Sequence, residues 1–185
     1  MADLKHTALI IVDVQNDFLP GGALAVPSGN DIIKPINELS QKSFKLIAAS
    51  QDWHPKNHCS FSDQGGPWPT HCVARSKGAD FPQDLNTDPI QHFIHKGIHQ
   101  ETDSYSAFFD NNHVYTTPLH AILQENHIKR VVITGLALDY CVAATARDAL
   151  EAGYKTDIIL SATRGINPSE ELLNDMKSRG INLLE

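Results

Sequence analysis

The chain has 185 residues, 41% hydrophobic and 20% charged, with a formal net charge of −7. This length and balance describe one folded domain with a substantial core, spanning residues 1–185, and exclude a disordered or fibrous chain. The negative charge argues against a nucleic-acid backbone or an anionic membrane as the main partner. No apolar run approaches the roughly 20 residues that span a bilayer, and no signal peptide is visible. Three cysteines cannot all pair within one chain, so a reduced, cytoplasmic setting is expected.

The first element is the apolar run at residues 7–13, TALIIVD, which ends in an acid. Such a run predicts a strand buried on both faces, as in a parallel sheet. A loop turning at Pro20-Gly21-Gly22 follows. A helix comes next, carrying Ile32, Ile33, Ile36 and Leu39 at helical spacing, with Ser28 or Asn30 as its cap. Residues 45–50, KLIAAS, predict the second strand. From there to about Pro89 the chain has little periodicity, and a loop of that length in a compact domain is more often functional than filler. Residues 90–96 predict a third strand ending at Lys96. Thr117-Pro118 predicts a helix start running to about Asn126. The fourth strand is expected at 130–134, a helix at 139–151 stopped by Gly153, and a fifth strand at 155–160. Asn167-Pro168 opens a last helix with Leu172, Leu173 and Met176 inward and Gly180 as its stop. Residues 181–184 could add a short edge strand. Alternating strands and helices predict an α/β domain, with helices on both faces of a mainly parallel central sheet joined by right-handed crossovers.

Several chemical groups fall at the ends of predicted strands: Asp13, the pair Asp52 and His54, Lys96, and Cys141. In a parallel sheet these ends share one edge, where open α/β folds keep their ligands. Cys141 sits in the first turn of its predicted helix. The helix dipole there favours the thiolate, and free N–H groups can hold an oxyanion. Taken alone, Cys141 reads more readily as a buried structural cysteine and Lys96 as a solvated lysine, and Asp13 as readily as a cap. Together, Cys141, Asp13 and Lys96 form a plausible covalent set of nucleophile, proton carrier and orienting cation. Seven of the ten histidines fall between His54 and His113. Asp52-x-His54 offers two metal ligands, and His71 is preferred over His58 as the third, because Pro55 argues against a helix placing His54 and His58 on one face. A set of two histidines and one carboxylate suits Zn²⁺, Fe²⁺ or Mn²⁺.

These residues sit in the segments IIVDVQNDFLPGGALAV (10–26), SQDWHPKNHCSF (50–61), GGPWPTHCV (65–73), HKG (95–97) and TGLALDYCVAATARDAL (134–150). In this order they resemble the nicotinamidase/pyrazinamidase family of isochorismatase-like hydrolases. The resemblance implies a metal-containing amidohydrolase that converts nicotinamide to nicotinate and ammonia through a cysteine thioester, a step of NAD salvage, and that also accepts pyrazinamide. It assigns Asp13, Lys96 and Cys141 to the catalytic triad, and Asp52, His54 and His71 to one divalent metal ion, zinc first, then iron or manganese. It further implies a cis peptide between Leu136 and Ala137, with the N–H groups of Ala137 and Cys141 as oxyanion hole. Phe18, Trp68 and Tyr105 match aromatic positions that hold the ring. Leu138 departs from the pattern, since a small hydroxyl residue is common there. The rival within the superfamily is a hydrolase of carbamoyl, ureido or isochorismate-type substrates, which generally lacks the metal set. A flavodoxin-like binding module is disfavoured, since no G-x-G-x-x-G loop follows the first strand.

Overall fold

The computed structural model describes residues 4–185. The apolar run near the N-terminus forms β1 (Thr7–Val12), every residue of which is buried. It is flanked by β2 (Leu46–Asp52) on one side and β4 (Arg130–Gly135) on the other. With β3 (His92–Lys96), β5 (Lys155–Thr163) and β6 (Asn182–Leu184), these make a six-stranded sheet in the order β3-β2-β1-β4-β5-β6. Every pairing is parallel.

Alternation along β1 divides the core in two. Ala8, Ile10 and Val12 pack with the helices α2 (Leu119–Glu125), α3 (Ala143–Glu151) and α4 (Glu170–Arg179) through Leu123, Ala146 and Met176. Leu9 and Ile11 face the other way, against Ile33 and Ile36 of α1 (Ile33–Ser40) and against Phe18, Val26 and Ile90 from loops. The result is the expected three-layer α/β/α arrangement. None of the helices described is long and apolar enough to cross a membrane.

Several element boundaries differ from the sequence expectation. A 3₁₀ turn, Gly29–Ile32, precedes α1; Ser28 has φ +56° and its side chain caps nothing, while Asn30 lies inside the turn. Asn167 does not open α4. Its N–H is held by the Asp139 carboxylate at 2.7 Å, and Ser169 caps the helix instead by accepting from Leu172 N–H at 3.2 Å. Gly153 and Gly180 end α3 and α4 with positive φ as predicted. The strands β2, β4 and β5 run one to three residues beyond their predicted ends, and the β4–β5 register shifts between Ile133 and Gly135. The segment carrying Cys141 is not the start of a regular α-helix but a π-helical turn, Leu138–Val142, leading into α3. Such turns recur at functional sites.

Candidate active site

Asp13 follows β1 directly, and Asp52 and Lys96 are the last residues of β2 and β3. All three side chains are buried at the carboxyl edge of the sheet. Asp13 sits in a left-handed conformation, φ +48°, which bends the chain off the strand. Its Oδ1 accepts from Ser50 Oγ at 2.7 Å. Lys96 Nζ lies 2.9 Å from Asp13 Oδ2, 2.5 Å from Asp52 Oδ1, 2.7 Å from Ser104 O and 3.5 Å from Cys141 Sγ. One buried ammonium therefore joins both carboxylates to the thiol.

The charge balance follows from this packing. Burial disfavours the Lys96 ammonium, but Asp13 and Asp52 outweigh it and hold its pKa well above the usual lysine value. Burial also works against the Asp52 carboxylate, and the Lys96 ammonium overrides it, so Asp52 stays ionised. At Asp13 burial prevails over Lys96 and raises the pKa. Burial likewise pushes the Cys141 thiol well above its ordinary value; the nearby carboxylates add to this and Lys96 only partly opposes it. Lys96 thus acts on Cys141 in the expected direction, towards the thiolate, while burial acts against it. Asp13 shares the Lys96 ammonium with Cys141. Asp13 Oδ2 is buried, with Lys96 Nζ 2.9 Å away.

Asp52 turns its other oxygen towards two histidines. Oδ2 lies 3.5 Å from His54 Nε2 and 3.9 Å from His71 Nε2. The ligand atoms of Asp52, His54 and His71 all lie within 4.8 Å of one another. Each histidine is anchored through its other nitrogen. His54 Nδ1 bonds Gly97 O at 2.9 Å, and His71 Nδ1 bonds Pro69 O at 2.7 Å. A carbonyl partner makes Nδ1 the donor and leaves the Nε2 lone pair facing inward. His54 Nε2 is buried with no hydrogen-bond partner among the described residues. A divalent cation fits this donor set, since it would satisfy the orphaned nitrogen and the carboxylate oxygen together. His58 fits less well. It can group with His54 and Asp103, but both of its nitrogens are engaged, with Ser60 Oγ at 2.7 Å and Thr102 O at 3.1 Å. Burial lowers the His71 pKa, which favours the neutral, ligating form.

The peptide between Leu136 and Ala137 is cis. The Ala137 carbonyl accepts from Tyr140 N–H at 3.0 Å and from Val142 N–H at 3.1 Å, which closes the π-turn. Leu138 is buried in the core on the α3 side, so the apolar departure at this position is absorbed by packing. Ala137 and Cys141 line a cavity together with Asp52, His71 and the predicted aromatic residues Phe18, Trp68 and Tyr105. Trp68 Nε1 donates to Tyr105 Oη at 3.1 Å, and the Phe18 and His71 rings lie 5.6 Å apart.

The same cavity is lined by Leu24, Val26, Asp103, Tyr140 and Ile166, none of which the sequence reading singled out. Tyr140 meets Trp68 edge-on at 5.0 Å. Its place next to Cys141 was the one available signal. Leu24, Val26 and Ile166 come from aperiodic loops and carried none. Asp139, also missed, holds Ile166 and Asn167 by their N–H groups at 2.9 and 2.7 Å and so ties that wall to the turn bearing Cys141.

Comparison with known proteins gives a consistent result. The family model described as the isochorismatase domain matches residues 7–184. The chain is 43% identical to a nicotinamidase of Escherichia coli (strain K12) over 178 residues, covering 86% of this chain and 84% of that one. Among solved structures it is similar to PnC1 from L. infantum in complex with nicotinate, with TM-score 0.96 and 40% identity, covering 99% of this chain and 94% of that one. It is also similar to the pyrazinamidase of Pyrococcus horikoshii in complex with zinc, with TM-score 0.87 and 45% identity, covering 97% of this chain and 99% of that one.

Proposed function

This chain belongs to the isochorismatase family, and on that premise we propose that it is an amidohydrolase converting nicotinamide to nicotinate and ammonia, active also on pyrazinamide. The observation that carries the reading is convergence. Asp13, Lys96 and Cys141 meet Asp52, His54 and His71 around one cavity with aromatic walls. The names of the similar nicotinamidase and pyrazinamidase, and the nicotinate and zinc in similar structures, support it.

In this reading residues 1–185 act as a single hydrolase domain in the cytoplasm, on a step of NAD salvage. Asp52, His54 and His71 hold one divalent ion, with zinc the first choice. Bound there, the ion supplies a positive centre that orients the pyridine ring and orders water. Phe18, Trp68 and Tyr105 flank the ring and exclude solvent. Asp13 takes the proton from Cys141, and the sulfur adds to the carboxamide carbon. The N–H groups of Ala137 and Cys141 receive the negative oxygen; losing one such donor costs about 3–4 kcal/mol in a comparable site. Asp13 returns the proton to the departing nitrogen, so ammonia leaves and the thioester remains. Water, deprotonated by Asp13, then releases nicotinate and restores the thiol. Lys96 keeps both carboxylates in place throughout. The rival reading, a carbamoyl, ureido or isochorismate-type substrate, gains nothing from the three-ligand group.

The test is ammonia and nicotinate release from nicotinamide by purified protein, and by Cys141→Ala. Release by the native chain and none above background by the variant are expected. Normal turnover by Cys141→Ala would sink the nucleophile assignment.

A further inference from the structure

Gln15 lies two residues past Asp13, fully buried, and the mechanism above does not use it. Its amide makes three hydrogen bonds. Nε2 donates to Asp52 O at 2.8 Å and to Ala79 O at 2.9 Å, while Oε1 accepts from Asp52 N–H at 2.8 Å. Both backbone polar groups of Asp52 are therefore engaged by one side chain.

The topology explains why this is needed. The β1–β2 pairing ends with Val12 opposite Ser50, yet β2 continues to Asp52, whose partner in β3 is Lys96. Beyond Ser50 no strand borders β2 on the β1 side. A buried backbone group left unpaired there would cost about 1–3 kcal/mol. A glutamine amide carries one acceptor and two donors in the spacing of a peptide unit, and it takes the missing strand's place.

The consequence reaches the ligand set. The backbone of Asp52 is fixed by Gln15 and its Oδ1 by Lys96, which leaves Oδ2 facing His54 and His71. We infer that Gln15 is a positioning residue: it fixes Asp52 so that one carboxylate oxygen meets Lys96 and the other faces the metal position. This rests on the metal-holding role proposed above. Gln51 provides an internal comparison. It is also buried and donates to the same Ala79 carbonyl at 2.9 Å, but it bonds no group of Asp52.

The experiment compares native protein with Gln15→Met, Gln15→Glu and Gln51→Met. Zinc affinity is read by competition with a chromogenic chelator, the melting temperature is measured alongside, and nicotinamide hydrolysis is followed for the native chain. Both methionine variants should melt lower. Only Gln15→Met should bind zinc more weakly, by about 10–100-fold, with Gln51→Met within twofold of native. Gln15→Glu keeps the shape and the acceptor for Asp52 N–H and should fall in between, which covers the case in which Gln15→Met does not fold. Native zinc affinity in either Gln15 variant, or an equal loss in Gln51→Met, overturns the inference. A native protein that binds no zinc or releases no ammonia defeats the underlying reading, and the inference with it.

Discussion

Replacing Gly135 with alanine should disturb the sheet and the site through one contact. Gly135 has φ +108° and pairs with Val12 at the end of the β1–β4 ladder. A Cβ on Gly135 would lie 2.1 Å from Val12 O and 2.7 Å from Val12 N. Carbon–oxygen contacts across strands ordinarily sit near 3.3 Å or beyond, so the two strand ends would have to part by roughly 1.2 Å. The left-handed conformation costs a non-glycine residue about 1–2 kcal/mol, and overpacking a tight interior about 1–3 more. The sum, about 2–5 kcal/mol, is a large share of the roughly 5–15 kcal/mol that keeps a domain folded. Gly153 serves as control. It has φ +91° with nothing within 4 Å of its virtual Cβ, so Gly153→Ala meets only the conformational cost. Val12 precedes Asp13, and Gly135 precedes the Leu136–Ala137 peptide, so the same displacement moves apart the groups proposed as proton carrier and oxyanion donors. A misplacement of about 1 Å can cost 100-fold in rate. Urea unfolding measures the first effect, as a lower midpoint at unchanged slope, and kcat measures the second. A Gly135→Ala protein no less stable than Gly153→Ala would refute the steric argument.

Two further outcomes concern pH and metal. Burial works against the Asp110 carboxylate, but the N–H groups of Tyr115, Val114 and Asn112, at 2.5, 3.2 and 2.7 Å, outweigh it and hold its pKa below the usual value. A depressed folded-state pKa stabilises above the ordinary carboxylate pKa and loses that contribution as pH falls below it. Asp110→Ala should therefore lose about 1.5–3 kcal/mol at pH 7, with the gap to native narrowing in denaturant melts below about pH 4; a gap independent of pH would show that the charge is not what matters. Zinc at 100 times its dissociation constant should add about 2.7 kcal/mol to native stability, and His71→Ala should erase the gain. A chelator should suppress nicotinamide hydrolysis and zinc restore it; full activity in the chelated protein would remove the metal from the reading.

The strand ends were legible because burial on both faces writes itself as uninterrupted apolar sequence, and a charged residue closing such a run stands out. Asp13 was found that way; Lys96 closes a mixed run, IQHFIHK, and Asp52 and His54 follow just past the predicted end of the second strand. The exact geometry at those ends was not legible. The φ of +48° at Asp13 is one an aspartate adopts more readily than most residues, but sequence does not say at which aspartate it occurs. The π-turn at Leu138–Val142 has the same apolar spacing as an α-helix start over so short a stretch, and what distinguishes it is the Val142 N–H bond to the Ala137 carbonyl five residues back. The burial that works against the Cys141 thiolate was not legible, since sequence shows the turn and the lysine but not how deeply the sulfur lies. Gln15 looked like an ordinary loop residue, since its importance arises where one strand stops two residues short of its neighbour.

The four strand-end groups come from distant parts of the chain: Lys96 meets Asp52 across 44 residues and Cys141 across 45. No local segment carries a working subset of them, and each contact closes a long loop whose entropic cost is recovered only when the strands between are paired. Under the proposed mechanism, catalysis therefore waits on the whole sheet. A hairpin, a fragment or a collapsed intermediate lacking β3 or β4 has no residual activity to report, so enzyme assay during refolding would read the completion of the whole sheet, not the arrival of any one element.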